Sequence, residues 1–176
     1  MRGGTRVGIL AGVLSVLGST AIPCTCVPSP PGATHAPPFL TVAPGAQLVV
    51  VAEVLRYAGK RHTSGRIPEA MDVAVREVLK GAEARATLRI RGDNGILCRP
   101  YVSKFPPGTT WVFALHQAPE KRSEYALSAC GEYWLRLEDD RVRGYIHRDP
   151  QQTGPEIEMG LAELRSSLGG GAAQGR

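Results

Sequence analysis

The chain has 176 residues and a formal net charge of +5, with 43% hydrophobic and only 6% aromatic residues. This length is sufficient for one domain with a real core. The charge is only mildly basic, and no run of five lysines or arginines occurs. The small aromatic content and the dispersed charge argue against a nucleic-acid-binding protein.

The N-terminus has the pattern of a cleavable export signal. Arg2 and Arg6 precede an apolar run over residues 7–17, and the small residues 19–21 offer a cleavage site. The sequence therefore predicts a signal peptide over residues 1–21 and a secreted or extracytoplasmic protein. No second apolar stretch follows, so we expect no membrane association after cleavage. Loss of the two arginines lowers the net charge to +3.

Four cysteines follow this leader, and two of them form the motif Cys24-Thr25-Cys26. An even number of cysteines in an exported chain indicates disulfide bonds. A bond between Cys24 and Cys26 would close a very small, strained ring, which favours pairing each with a distant partner, Cys98 or Cys130. The pairing stays open on these grounds. An intrinsic metal site is disfavoured because C-x-C lacks the usual C-x-x-C spacing.

The pattern along the chain predicts a mainly β protein. Residues 24–45 are rich in proline, which predicts an extended arm rather than a helix. Apolar and β-branched residues predict a strand over Leu48–Leu55, and residues 57–69 are polar and indicate a long loop. Further strands are predicted at 71–80, 86–91, 111–115 and 125–130, with a final hairpin of 132–138 and 141–146. Several short strands separated by turns favour a small barrel or sandwich.

The C-terminal part predicts one amphipathic helix. Apolar residues at Ile157, Leu161, Leu164 and Leu168 have helical spacing, and Gly169 follows. We expect this helix to pack on the barrel within a C-terminal extension over residues 147–168. Residues 169–176 are expected to be a disordered tail.

The sequence contains no recognisable catalytic arrangement, so we expect no enzyme and no cofactor. The histidines do not form a zinc motif, no serine lies in a G-x-S-x-G elbow, and the spacing of the carboxylates singles out no pair. The residues considered were His35, His62, His116, His147, Ser128, Glu53, Glu77 and Glu132. Arg91-Gly92-Asp93 matches the tripeptide of some adhesion ligands, but we interpret it as a turn at a strand end.

Several of these segments together resemble one known family. They are Cys24-Thr25-Cys26-Val27-Pro28, the strand through Ala52-Glu53-Val54, the strand end Val78-Leu79-Lys80-Gly81, the mid-chain Cys98 and the strands at 111–115 and 125–130. Over about residues 24–135 the chain is similar to the netrin-like (NTR) module of the tissue inhibitors of metalloproteinases and their bacterial single-domain relatives. The resemblance implies a five-stranded OB-type barrel within residues 22–146, with an N-terminal arm stapled by disulfides and a C-terminal helix.

The resemblance also implies an inhibitory site at the N-terminus. In the family, the free α-amino group and the carbonyl of the first cysteine chelate the zinc of a protease and displace its activated water. Cys24 would take this role, and the side chain of Thr25 would enter the specificity pocket. Cys26, Val27 and Pro28 would lie along the protease cleft.

The implied disulfides are Cys24–Cys98 and Cys26–Cys130, which would pin the opening segment across the barrel. The implied partner is a zinc metalloprotease, bound by a monomer that carries no metal of its own. The start of the mature chain, Ile22 or Cys24, stays open. A mature chain that begins at Ile22 would have an acylated cysteine nitrogen, and the domain would then be a secreted netrin-like binding or structural module without inhibition.

Overall fold

The computed structural model describes Cys26 and residues 36–61, 68–147 and 157–169. The predicted signal peptide over residues 1–21, Cys24, Thr25, the segment 27–35 and the tail over residues 170–176 lie outside the described residues.

The described chain is mainly β, with two short helices. The strands are β1 (Leu48–Arg61), β2 (Pro68–Lys80), β3 (Thr87–Arg91), β4 (Thr110–Ala118), β5 (Lys121–Ala126), β6 (Trp134–Glu138), β7 (Arg141–Gly144) and β8 (Ile157–Gly160). The helices are α1 (Phe39–Val42) and α2 (Leu161–Gly169), with single 3-10 turns at Ala43–Gly45 and Val102–Lys104.

Five of the strands close into a ring. The sheet order is β1-β2-β3-β5-β4-β6-β7-β8, and an additional pairing of β1 with β4 joins the first five strands end to end. The β1–β4 pairing is antiparallel over six residue pairs, from Leu48 with Leu115 to Glu53 with Thr110. β3 and β5 make the one parallel contact among the described strands. Strands β6 to β8 extend the sheet beyond the ring from β4.

Side chains alternate along β1 and β4, so each strand contributes to two separate hydrophobic cores. Residues of one parity, such as Val50 and Phe113, point into the ring, and those of the other, such as Val49 and Val112, pack outside it. α1, α2 and the strands β7 and β8 cover the outer core. This explains why the first strand is apolar on both faces, as its sequence predicted.

The 3-10 turn at Val102–Lys104 closes one end of the ring with aromatic packing. Phe105 is fully buried and meets Trp111, Phe113 and Trp134 edge to face, with ring centroids 5.1, 5.3 and 5.7 Å away. Aromatic pairs prefer this edge-to-face arrangement. Trp111, Phe113 and Tyr125 are all buried.

The predicted loop over residues 57–69 is wrong at both ends. β1 continues to Arg61 and β2 begins at Pro68. The pairing of the two strands extends to their ends, where Arg61 lies opposite Pro68. Gly59 has a φ of +88° within an irregular part of this pairing. Tyr57 and Gly59 are exposed, so this part of the hairpin does not need the alternating pattern that identifies a half-buried strand.

The predicted extended arm is also wrong in part, because its last residues form α1 and a 3-10 turn. Pro38 is the N-cap of α1, and Pro44 lies at the start of the 3-10 turn. Proline is accepted at the first turn of a helix, where its missing N–H would have no partner. The fully buried Phe39 anchors the segment, and its N–H donates to the Tyr145 carbonyl at 2.8 Å.

Two more boundaries differ from the prediction. The strand predicted at 125–130 is β5, which runs from Lys121 to Ala126, so Cys130 lies after it. The predicted helix begins at Leu161 and not at Ile157, and Gly169 is its last residue. Residues 157–160 form β8, in which Glu158 lies across from Arg143 of β7 and its carboxylate forms ion pairs with both Arg141 and Arg143.

The final hairpin is confirmed, with Asp139 and Asp140 at its tip. Their φ values are 47° and 59°, the left-handed backbone that a tight two-residue turn requires. Among the described residues, no helix is long and apolar enough to cross a membrane.

Candidate functional site

A disulfide fixes the start of the described chain to the body of the domain. Cys26 is bonded to Cys130, 104 positions later, with 5.3 Å between their Cα atoms. In the chain-entropy model a crosslink that closes a loop of this size stabilises the fold by about 4–5 kcal/mol. Cys26 is exposed, so the crosslink holds this residue on the surface of the domain.

The third cysteine in the described chain lies beside this crosslink. Cys98 is disulfide-bonded, and its carbonyl oxygen accepts a hydrogen bond of 3.0 Å from the N–H of Ala129. Ala129 directly precedes Cys130, so the two cysteine-bearing segments run next to each other. The Cys24 half of the implied Cys24–Cys98 bond lies outside the described residues.

The N-terminal arm also contacts the segment around Cys130, to which Cys26 is bonded. The N–H of Glu132 donates to the Pro37 carbonyl at 2.9 Å, only two residues after Cys130. Between these positions, a side chain at Gly131 would come within 2.8 Å of Val42 and 3.0 Å of Tyr133. Residues 130–132 are therefore the common attachment point of Cys26 and of the arm.

Cys98 also closes a loop that carries exposed apolar side chains. Asp93 Oδ1 accepts hydrogen bonds from the N–H groups of Gly95 and Leu97, at 3.0 and 2.9 Å, and so fixes the loop from within. Ile96 is 83% exposed and Leu97 is 37% exposed, directly before Cys98. The two residues form an adjacent exposed apolar pair, and it is contiguous apolar surface, not a single exposed side chain, that indicates a contact site.

Other exposed apolar residues lie on neighbouring elements at the same end of the ring. Tyr101 follows Cys98 by three residues and is 43% exposed. Tyr57 of β1 is 37% exposed, and its hydroxyl lies 3.5 Å from the carbonyl oxygen of Ser103. We call Ile96, Leu97, Tyr101 and Tyr57 the apolar rim.

A pocket of about 240 Å³ lies beside this rim. Leu97 and Gly92 contribute to its wall, and the remaining wall is polar or charged: Glu69, Arg91, Asn94, Arg99 and Glu120. Arg99 donates to both oxygens of Glu120, at 2.5 and 2.8 Å, and holds the pKa of that carboxyl near 2. Arg91 donates to the buried Glu124 at 2.5 Å.

The same contacts decide the question of the adhesion-like tripeptide. Arg91 is paired with Glu124, Gly92 is buried, and Asp93 accepts hydrogen bonds within its own loop. The tripeptide is therefore the end of β3 and the start of the loop, as the turn interpretation expected, and neither charged side chain extends freely into solvent.

Glu132 is the carboxyl group with the most altered acidity near the crosslink. Burial raises its pKa to about 7, although the charge of Lys104 acts in the opposite direction. The Lys104 ammonium itself lies 4.4 Å above the ring of Trp134. His116, across the arm, packs edge to face against Tyr133, and burial lowers its pKa below its usual value.

The carboxylates considered from the sequence are not brought together as a catalytic pair. Glu53 pairs with Arg76, and Glu77 forms a two-point ion pair with Arg165 of α2, so each has its own basic partner. Within the part of the chain that the structure describes, no three histidine, cysteine, aspartate or glutamate residues are placed to hold a metal ion.

The implied site residues Cys24, Thr25, Val27 and Pro28 lie outside the described residues, whereas Cys26, Cys98 and Cys130 are described and bonded. Sequence reasoning did not find the apolar rim or the pocket. The only signal was the apolar pair Ile96-Leu97 inside a turn-rich loop, next to a cysteine.

Comparison of the chain with known protein families finds no match, and comparison with curated protein sequences finds none either.

Proposed function

We propose that this chain is a secreted, netrin-like inhibitor of zinc metalloproteases that acts through the amino group of Cys24. In this proposal the ring of five strands is an OB-type barrel, and the parallel contact of β3 with β5 supports that assignment. The observation that carries the proposal is the Cys26–Cys130 crosslink, which holds the chain two residues after Cys24 on the surface.

The positions of the other cysteines support the second implied disulfide. Residues i and i+2 of an extended segment point to the same side, about 6–7 Å apart. Cys24 and Cys26 would therefore face two neighbouring partners, and the hydrogen bond from Ala129 to Cys98 provides such neighbours. A Cys24–Cys98 bond would fix the N-terminal residue next to Ile96 and Leu97.

The chemistry of inhibition follows from such a fixed terminus. An α-amino group has a pKa near 8 in water, so a neutral amine is available to a zinc ion at pH 7. Together with the carbonyl oxygen of Cys24 it would fill the coordination positions that the protease uses for its water. The side chain of Thr25 would then point away from the domain into the protease.

The apolar rim supports a protein as the partner. Ile96, Leu97 and Tyr101 lie within three residues of Cys98 in the chain, and the hydrogen bonds of Asp93 order the loop. A surface that is already ordered loses less conformational entropy when a partner docks. The disulfides are consistent with an oxidising, extracytoplasmic location.

The test compares mature proteins that differ only at the N-terminus. We expect the form that begins at Cys24 to inhibit zinc metalloproteases in fluorogenic peptide assays, and the form with one additional alanine before Cys24 to lose inhibition. Both forms keep the disulfides, which intact-mass measurement before and after reduction verifies. Equal inhibition by the two forms would show that the amino group plays no part.

Thr25→Gly separates the pocket-filling role from folding. We expect at least tenfold weaker inhibition with an unchanged midpoint of unfolding.

The apolar rim also favours a second candidate function, a netrin-like binding module, because binding through the exposed Ile96 requires no free N-terminal amino group. If the secreted chain begins at Ile22 and inhibits none of the proteases tested, this second function replaces the first.

A further inference from the structure

The pocket beside the apolar rim contains one carboxylate without a partner. Glu69 is half-buried at the start of β2, and its side chain has no hydrogen bond or ion pair among the described residues. The two pocket arginines are already occupied, because Arg99 pairs with Glu120 and Arg91 with Glu124. The side chains of Arg99 and Glu124 are only 10% and 7% exposed, so both ion pairs are largely shielded from solvent.

The backbone around Glu69 is fixed, which keeps its position in the wall defined. The Glu69 carbonyl oxygen accepts a hydrogen bond of 2.8 Å from the N–H of Gly92. A side chain at Gly92 would come within 2.7 Å of both the Pro100 carbonyl oxygen and Val102, so the loop packs closely at this point. The pocket is thus formed by fixed elements on both sides.

We propose that this pocket receives a basic side chain, lysine or arginine, of the protein that docks on the apolar rim. This inference rests on the proposed function in so far as it requires a protein partner at the rim. Such a side chain has an aliphatic stem that packs on apolar surface and a cationic head that seeks a carboxylate. Leu97 offers apolar surface for the stem, and Glu69 offers a carboxylate for the head.

The size and the charges of the pocket fit this occupant. About 240 Å³ is below the usual volume of a site for a drug-sized molecule and accommodates a single side chain. Glu69 offers an incoming cation a carboxylate that has no ion pair with the described residues, and Glu120, also in the wall, is 40% exposed. An incoming anion would have to compete with Glu120 for Arg99, which that carboxylate already binds at two points.

The test uses two small probes that differ in charge and hardly in shape. N-acetyl-arginine amide and its neutral counterpart N-acetyl-citrulline amide are titrated into the mature protein and followed by amide NMR shifts. We expect saturable shifts at Gly92, Asn94 and Leu97 for the arginine probe. The citrulline probe should bind about tenfold more weakly, equivalent to about 1.4 kcal/mol.

Two matched variants assign the effect to one carboxylate. Glu69→Gln should abolish the difference between the probes, and it should fold normally because the Glu69 side chain holds no partner. Glu163→Gln removes an exposed glutamate of α2 and should leave both titrations unchanged.

Equal binding of the two probes, or a charge preference that survives in Glu69→Gln, would overturn the proposal. Shifts at the same amides with acetate, together with none for arginine, would also overturn it and indicate an anion site. None of these readouts depends on protease inhibition, so failure here is distinguishable from failure at Cys24.

Discussion

Replacing Glu132 by glutamine should make the protein more stable at alkaline pH and remove a pH dependence of folding. Glu132 lies between the crosslinked Cys130 and Trp134, half-buried and without an ion pair within the described residues. Burial raises its pKa from 4.5 to about 7, and Lys104 offsets only part of this effect. The folded protein therefore holds a proton on Glu132 at pH values where the unfolded chain has lost it.

This difference fixes the sign and the size of the effect. Stability from the protonated carboxyl is fully present below pH 4.5 and is lost as the pH rises through 7. At about 1.36 kcal/mol per pKa unit, the difference between 4.5 and 7 sets a ceiling of about 3 kcal/mol. Because the side chain retains some contact with solvent, we expect about 2 kcal/mol.

The assay is urea unfolding of wild type and Glu132→Gln, with disulfides intact, from about pH 5 to about pH 8. The lowered pKa of His116 acts in the opposite direction over part of this range, but it is common to both proteins and cancels in the difference. We expect the gain from the substitution to be small at pH 5 and largest at pH 8. A gain that is constant across this range would refute a buried, protonated Glu132.

Two further variants test how the ring and its extension are held. Lys80 Nζ donates to the carbonyl oxygens of Ala43, Pro44 and Ala46, so Lys80→Met should leave these groups without their cation and lower the free energy of unfolding by about 1–3 kcal/mol. An unchanged urea midpoint would show that water replaces the ammonium. Asp139→Asn combined with Asp140→Gly should raise the melting temperature by about 2–4 °C, because both positions have positive φ and Asn-Gly suits that turn. Calorimetry measures the gain, and a lower melting temperature would mean that the aspartate side chains themselves stabilise the turn.

The strands that were predicted well have at least one face in a core. Val49 and Val50 point into different cores. The continuous apolar run at the start of β1 predicted a strand that is buried on both faces. The hairpin of β6 and β7 was also predicted, and the chemistry of its two-residue turn at Asp139 and Asp140 is local. Such features depend on neighbouring residues, so the sequence pattern was sufficient to find them.

The features that were predicted poorly depend on partners that are distant in the chain. Ile157 fits the helical spacing of Leu161 and Leu164 as well as the alternation of a strand, and only the pairing of Glu158 with β7 decides between them. The pocket likewise exists because Glu69, Arg99 and Glu120 come from three separate segments. No periodicity in one segment contains that information.

The crosslink that supports the proposed function also determines which substitutions can test it. Loss of Cys26 or Cys130 would remove the crosslink that holds the N-terminal segment, whereas the arm would keep its hydrogen bond from Glu132 to Pro37. A cysteine variant would therefore reduce stability and inhibition at once, whatever the role of Cys24. An added N-terminal alanine leaves every cysteine in the chain and alters the group that would bind the zinc. If the proposed chelation is correct, the variant with the added alanine loses inhibition but keeps its stability. Every cysteine variant, in contrast, loses both.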